Sequence, residues 1–285
     1  MDAETVIIDG RTFRFVKRSR RGDVAVYTNG ELFARVGEKS VIKRMTVLHK
    51  KFDSLGFPVP GFVSSGEINA GAYYTEESLG EKCFSQLFRD DMEKYGGISD
   101  TLFESFLKVT ERFIRAQVSA TVDVPEGLSL RGLIRPETLA EELPEYGEKI
   151  VRLFDEAVSA VASLPPVLTH GDFNPHNLFP RAVIDFEQTY CAPAGYDAVT
   201  NIFSINYFPA SRNYEYYRWY SFTPEQERLY YTLLDRLYTE AGLPAISEYR
   251  KHFEYFRAVW ATKQNFGAPK LRVWRYELFK KNYLI

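Results

Sequence analysis

Apolar and polar residues alternate at short range through roughly the first eighty positions. "TVIIDG" (5–10) and "RTFRFVKR" (11–18) are β-branched and aromatic runs closed by glycine or charge, the pattern of short strands. "DVAVYTNGELFARVG" (23–37) places apolar runs on both sides of Asn29-Gly30, the strongest short-range hairpin signal. The period then changes. In "KSVIKRMTVLHKKFDSLG" (39–56), Val41, Ile42, Met45, Leu48 and Phe52 recur at helical spacing, with Gly56 just past the end. "FPVPGFVSSGEINAGAYYTEESLG" (57–80) returns to strand, turn and strand. The N-terminal part therefore reads β-β-β-α-β-β.

Beyond Gly80 the periods lengthen. "DTLFESFLKVTERFIRAQVSA" (100–120) carries Leu102, Phe106, Val109, Phe113 and Val118 near one helical stripe, with Asp100 placed as an N-cap. "PETLAEELPEYGEKIVRLFDEAVSAVASLPP" (136–166) is helical, interrupted near Pro144. Two more helices are expected over 223–265, joined around "AGLPA", and a last one over 269–285. The strand-like pieces of this half are "PVLTH", "NLF" and "AVIDF", all within 166–186. The expectation is an α+β, protein-kinase-like bilobal fold: a small β-rich N-lobe (1–78) and a larger, mainly helical C-lobe (79–285) with a cleft between.

Composition narrows the setting. A chain of 285 residues suits two lobes. Hydrophobic content of 45% and charged content of 26% are ordinary for a globular protein. The net charge of −2 gives no support to nucleic-acid binding. Cys83 and Cys191 argue against a disulfide framework and fit a reducing cytoplasm. The N-terminus has no signal-type apolar segment, and no run of 18 apolar residues suggests a membrane span. Many aromatic residues fall in 202–222; a helical core and an aromatic-lined substrate pocket are both open readings.

The candidate chemistry lies in "LTHGDFNPHNLF" (168–179). His170 and His176 lack the spacing of a zinc pair and have no cysteine nearby. Asp, Asn, Gly and Pro together could make a turn and nothing more. Phosphoryl transfer needs a carboxylate to accept the acceptor's proton, an oxygen ligand for Mg²⁺ and a further carboxylate at the metals. His170, Asp172 and Asn177 stand in the order and spacing H-x-D-x-x-x-x-N, and Asp185 follows in "AVIDFE". Asn177 and Asp185 offer the oxygen ligands that Mg²⁺ prefers.

These two segments, with "GYDAV" after them, resemble the aminoglycoside phosphotransferase/choline kinase group of the kinase-like fold. The resemblance implies ATP and Mg²⁺ as cofactors, Asp172 as catalytic base, Asn177 and Asp185 as Mg²⁺ ligands, and Asp197 as a structural aspartate after Gly195. His170 would brace the loop, and His176 would face solvent or substrate. "YYTEESLGE" resembles the linker between lobes, where the backbone of Glu77 and Ser78 would meet the adenine edge.

The chain departs from the pattern in the N-terminal part. The strand position of the phosphate-binding lysine holds Arg35, which keeps the charge but is bulkier and forked. Its helix partner should be a glutamate, yet the expected place falls on Lys43, Arg44 or Met45, and Glu38 is the nearest carboxylate. In "KRSRRGD" (17–23), Arg20, Arg21 and the backbone of Gly22 could face ATP phosphates, or could form a solvated hairpin tip. The leading expectation is an ATP- and Mg²⁺-dependent phosphotransferase acting on a hydroxyl of a small molecule. The alternative is a nucleotide-binding pseudo-kinase module. A protein kinase ranks below both, because only eleven residues separate Asp185 from Asp197. Five glutamates in 136–148 would suit a cationic acceptor, or line a solvated helix face. Neither nucleic acid nor membrane is expected as a partner, and the oligomeric state is open.

Overall fold

The computed structural model describes residues 4–19, 22–69, 71–80, 82–120, 130–264 and 267–285, with the Glu187 side chain excepted. Its backbone groups into two units, residues 1–82 with 179–187, and residues 83–178 with 188–285.

The first unit is a six-stranded antiparallel sheet in the order β1-β2-β3-β4-β6-β5. Its strands are β1 (Thr5–Ile8), β2 (Arg11–Arg18), β3 (Val24–Thr28), β4 (Leu32–Gly37), β5 (Phe62–Ile68) and β6 (Gly71–Glu77). The β3–β4 turn forms at Asn29-Gly30, where the Asn29 Oδ1 accepts the N–H groups of Glu31 and Leu32. Four strands thus precede the helix, one for each of the four apolar runs and one more than the series β-β-β-α-β-β counts.

Strand alternation gives the sheet two apolar faces. Ile8, Phe13, Ala25, Tyr27, Ala34 and Tyr73 cluster together. Val24 and Tyr74 cluster with Ile42 and Met45 of helix α1 (Lys39–Ser54). The helical spacing of α1 buries Ile42, Met45, His49 and Phe52; each apolar one contributes about 1.5–3 kcal/mol when fully buried.

In the second unit, α2 (Phe84–Tyr95) and α3 (Asp100–Ser119) come first. Ser99, not Asp100, caps α3, and Asp100 is its first helical residue. Next follow α4 (Leu130–Ile134), α5 (Pro136–Glu142) and α6 (Gly147–Ala160), the last two separated by a short 3₁₀ turn starting at Pro144. β7 (Pro166–Thr169) pairs antiparallel with β8 (Tyr190–Pro193). After it come α7 (Tyr196–Phe203), α8 (Pro224–Glu240), α9 (Arg250–Lys263) and α10 (Pro269–Phe279).

Two strand expectations fail here. "NLF" and "AVIDF" do not form strands; a turn closed by the Phe179 N–H on the Ala182 carbonyl joins them, and Phe186–Gln188 is 3₁₀. β8, which the pattern did not signal, supplies the partner for β7.

The unit division also differs from the expected boundary at 78/79, since 79–82 and 179–187 both group with the sheet. Side-chain packing explains the second segment. The Phe186 ring lies 4.2 Å from Phe52 of α1, and the Val183 N–H donates to the Pro58 carbonyl at 2.6 Å. Among the described residues, no helix is long and apolar enough to cross a membrane.

Candidate active site

The loop 170–178 is tied down from several sides within the second unit. At its start, Gly171 has φ +81°, and a Cβ there would come within 2.2 Å of the Gln188 carbonyl oxygen. Only glycine fits so close an approach at a left-handed φ. Phe173 stacks on Phe113 of α3 at 4.1 Å. At the start of α2, the N–H groups of Phe84 and Ser85 donate to the carbonyls of Leu178 and Pro175. Those helix-terminal donors would otherwise lack partners, so α2 and the loop complete one another.

Asp197 is the deepest anchor. Gly195, at φ +114°, starts α7 in a position where a Cβ would strike Ile246 and Phe253. Asp197 then sits fully buried in the first turn. Its Oδ2 accepts the His170 N–H at 2.7 Å and Gln117 Nε2 at 2.8 Å, and its Oδ1 accepts the Gly171 N–H at 3.1 Å. Burial raises its carboxyl above the usual range, opposed by His170, Gln117 and Gly171. Asp197→Asn would place an amide NH₂ against these N–H donors. The expected cost is about 1–3 kcal/mol for a buried donor left unmatched, read as a lower urea midpoint at unchanged m-value. An unchanged midpoint would remove Asp197 from the anchoring role.

His170 is fully buried, and its Nδ1 accepts the Asp172 N–H at 3.2 Å. The Asp172 side chain is about a quarter exposed. Its Oδ1 accepts from Asn174 Nδ2 and from Arg257 Nη2, both at 2.9 Å. Its Oδ2 lies 3.4 Å from Asn177 Nδ2, which also donates to the Asp172 carbonyl at 2.9 Å. Oδ1 is thus the held oxygen. The Asn177 amide nitrogen is spent on the loop, so its oxygen is the atom that can meet a metal. His176 is exposed, 3.3 Å from Ser85 Oγ and edge-on to Trp219.

Arg257 was not anticipated. It lies on α9, far along the chain, buried, with its guanidinium 4.0 Å above the Trp260 ring. Burial opposes its charge, but Asp172 and Tyr196 outweigh it and hold the group above its ordinary value. The available signal was an arginine on a buried helical stripe, between Phe253 and Phe256 on one side and Ala261 on the other.

The first unit holds the remaining candidates. Arg35 is the centre of a buried cluster in a small pocket that His49, Tyr74, Glu76, Asp185 and Phe186 also line. Its Nε meets Glu76 Oε1 at 3.2 Å. Arg35 therefore has a carboxylate partner, from strand β6 rather than helix α1. Glu38, the carboxylate the sequence pointed to, is instead at the start of α1, where it accepts from Ser40 Oγ. Asp185 adopts φ +72°, a left-handed conformation that non-glycine residues rarely take and that tends to mark functional positions.

Two expected backbone contacts are already engaged. The Glu77 N–H donates to the Gly61 carbonyl at 2.9 Å and the Ser78 N–H to the Glu31 carbonyl at 2.7 Å. Neither is free to donate to a base edge, which would have to use other groups of this stretch. The Gly22 N–H closes its own turn on the Ser19 carbonyl at 3.0 Å. Arg20 and Arg21 lie outside the described residues. Among the described residues, no cluster of three or more His, Cys, Asp or Glu could by itself hold a metal. Mg²⁺ does not need one, since it usually takes one or two carboxylates and completes its shell with phosphates and water.

The sequence model of the phosphotransferase enzyme family matches residues 25–230. The chain belongs to that family. It is a small-molecule phosphotransferase with an alcohol group as acceptor. Solved structures share its kinase-like fold at low identity. A choline/ethanolamine kinase family protein from Mesorhizobium loti is 15% identical, with a TM-score of 0.59, covering 94% of this chain and 87% of that one. A thermostable variant of aminoglycoside phosphotransferase APH(4)-Ia, solved with ADP and hygromycin B, is 14% identical, with a TM-score of 0.57 over 94% and 92% of the two chains. APH(3'')-Id from Streptomyces rimosus is 13% identical, with a TM-score of 0.51 over 87% and 92%. No curated sequence is similar enough to count as a match.

The aromatic segment 202–222 and the acidic segment 136–148 fall mostly into structural roles. Tyr220 and Phe222 pack with Phe88 and Phe106, and Tyr207 is buried. Glu142 pairs with Arg272, and Glu137 with Arg131. Glu137, Glu141 and Glu148 also edge an open groove along α5 and α6.

Proposed function

We propose that this phosphotransferase uses ATP and Mg²⁺ and moves the γ-phosphate to a hydroxyl of a small molecule. The observation that carries the reading is the hold on Asp172. One carboxylate oxygen is engaged by Arg257 and Asn174, and Oδ2 is the atom we assign to the acceptor's proton.

The acceptor oxygen attacks the γ-phosphorus as Asp172 Oδ2 takes its proton. The bond to the β-phosphate bridging oxygen breaks, and ADP leaves with that electron pair. Asn177 and Asp185 are the residues that would hold Mg²⁺, which when bound neutralises charge on the phosphates. Arg35 would add a fixed cation at the same phosphates. In such a loose transition state the residues mainly position and stabilise charge, which suits a base oriented by fixed partners.

The acceptor is hydroxyl-bearing. A solved member of the fold holds hygromycin B, which supports an aminoglycoside-like acceptor. A chain with only two cysteines, Cys83 and Cys191, suits a cytoplasmic setting. A screen of amino sugars, amino alcohols, sugars and nucleosides, read as ADP release in Mg²⁺, tests the reading. Transfer to at least one class is the expected result. No transfer to any of them, with no slow ATP hydrolysis either, would overturn it.

A further inference from the structure

We propose that His49 and Glu76 together replace the missing helix glutamate and hold Arg35 in position for nucleotide phosphates. The inference rests on the functional reading above and names positioning residues within it.

The arrangement starts from strand register. Arg35 pairs directly with Tyr74 across β4 and β6. Glu76, two residues further along β6, lies diagonally opposite Arg35 on the same face, within reach of a long side chain. That face is the one α1 covers, and His49 projects from α1 onto it.

Glu76 uses both oxygens. Oε1 meets Arg35 Nε at 3.2 Å, and Oε2 lies 3.4 Å from His49 Nδ1. The other ring nitrogen, Nε2, lies 2.8 Å from the Pro60 carbonyl. The His49 ring packs against Phe62 and Tyr74. All three polar side chains are largely shielded, at 13% exposure for Arg35, 7% for Glu76 and 4% for His49. Burial alone would push Glu76 up, but Arg35 and then His49 overcome it and hold the carboxyl below its ordinary value.

A buried carboxylate needs such partners, since losing one leaves a charge uncompensated. The usual helix glutamate would place the negative charge on α1. Here α1 contributes the His49 ring, and the charge sits on the strand. Engaging Arg35 through Nε also leaves its two terminal nitrogens as the edge suited to two phosphate oxygens. Helix α1 therefore bears on the guanidinium through Glu76.

The test measures binding of ATP, ADP and adenosine to the full chain in Mg²⁺ by calorimetry, with thermal unfolding alongside. Glu76→Gln should weaken ATP and ADP by about 10–100-fold, the scale for removing a supporting partner. Adenosine, which has no phosphates, should change less than about twofold. Two histidine variants separate positioning from packing. In His49→Asn the amide nitrogen stands near the place of Nδ1 and should keep most of the ATP affinity. In His49→Gln it stands near Nε2, loses the contact to Glu76, and should follow Glu76→Gln. Unchanged ATP affinity in Glu76→Gln, an equal loss for adenosine, or equal behaviour of the two His49 variants would each overturn the inference. Failure of the wild-type chain to bind ATP at all would overturn the functional reading, and this inference with it.

Discussion

Turnover in Asp172→Ala is expected to fall by roughly 10²–10⁴, the range for loss of a general base, while ATP affinity with Mg²⁺ stays nearly unchanged. The expectation follows from where Asp172 is held. His170 and Asn174 fix its backbone and Arg257 grips one carboxylate oxygen, so the side chain is positioned by the chain's own groups. Alanine removes the proton acceptor and leaves the loop anchors at Asp197 and Phe173 in place. Single-turnover kinetics with any acceptor found by the screen would measure it. With water as the acceptor, slow ATP hydrolysis should fall in the same variant. Turnover at the wild-type level would take Asp172 out of the base role. The same variant strands Arg257, so a modest loss of stability should accompany the kinetic one.

The second large effect is at Asp185. Asp185→Ala should abolish Mg²⁺-dependent nucleotide binding, because it removes the only carboxylate we assign to the metal. Nucleotide titration with and without Mg²⁺ reads this directly. Persistent metal-dependent binding would sink the ligand assignment. The backbone adds an independent sign. Asp185 sits at φ +72°, so Asp185→Gly should relieve about 1 kcal/mol of left-handed strain while losing nucleotide binding just as fully. Stability and function would then move in opposite directions, as expected of a strained residue kept for its chemistry.

Local pattern made much of this legible. The Asn29-Gly30 hairpin and the α1 stripe form as read, because each depends on neighbours within a few residues. The loop from His170 to Asn177 was visible as an ordered set of residue types, and the family match covers it. The short pieces "NLF" and "AVIDF" misled, since three to five residues cannot fix a strand without a partner. The partner of β7 turned out to be β8, and Phe186 packed on Phe52 instead.

The pseudo-kinase alternative rested on the absence of a partner for Arg35. Helix spacing pointed to Lys43, Arg44 or Met45, and to Glu38 beyond them. The carboxylate that meets Arg35 is Glu76, forty-one positions away, brought there by the pairing of β4 with β6. Arg257 is a second case, eighty-five positions from the Asp172 it contacts.

By itself, then, the sequence determined the strand and helix periods, the turn chemistry and the order of the phosphoryl-transfer residues, all of which are written in short-range spacing. Only the tertiary structure decided which charges neutralise one another. Buried ions must find partners whatever their distance along the chain, and strand register and helix packing choose those partners in three dimensions.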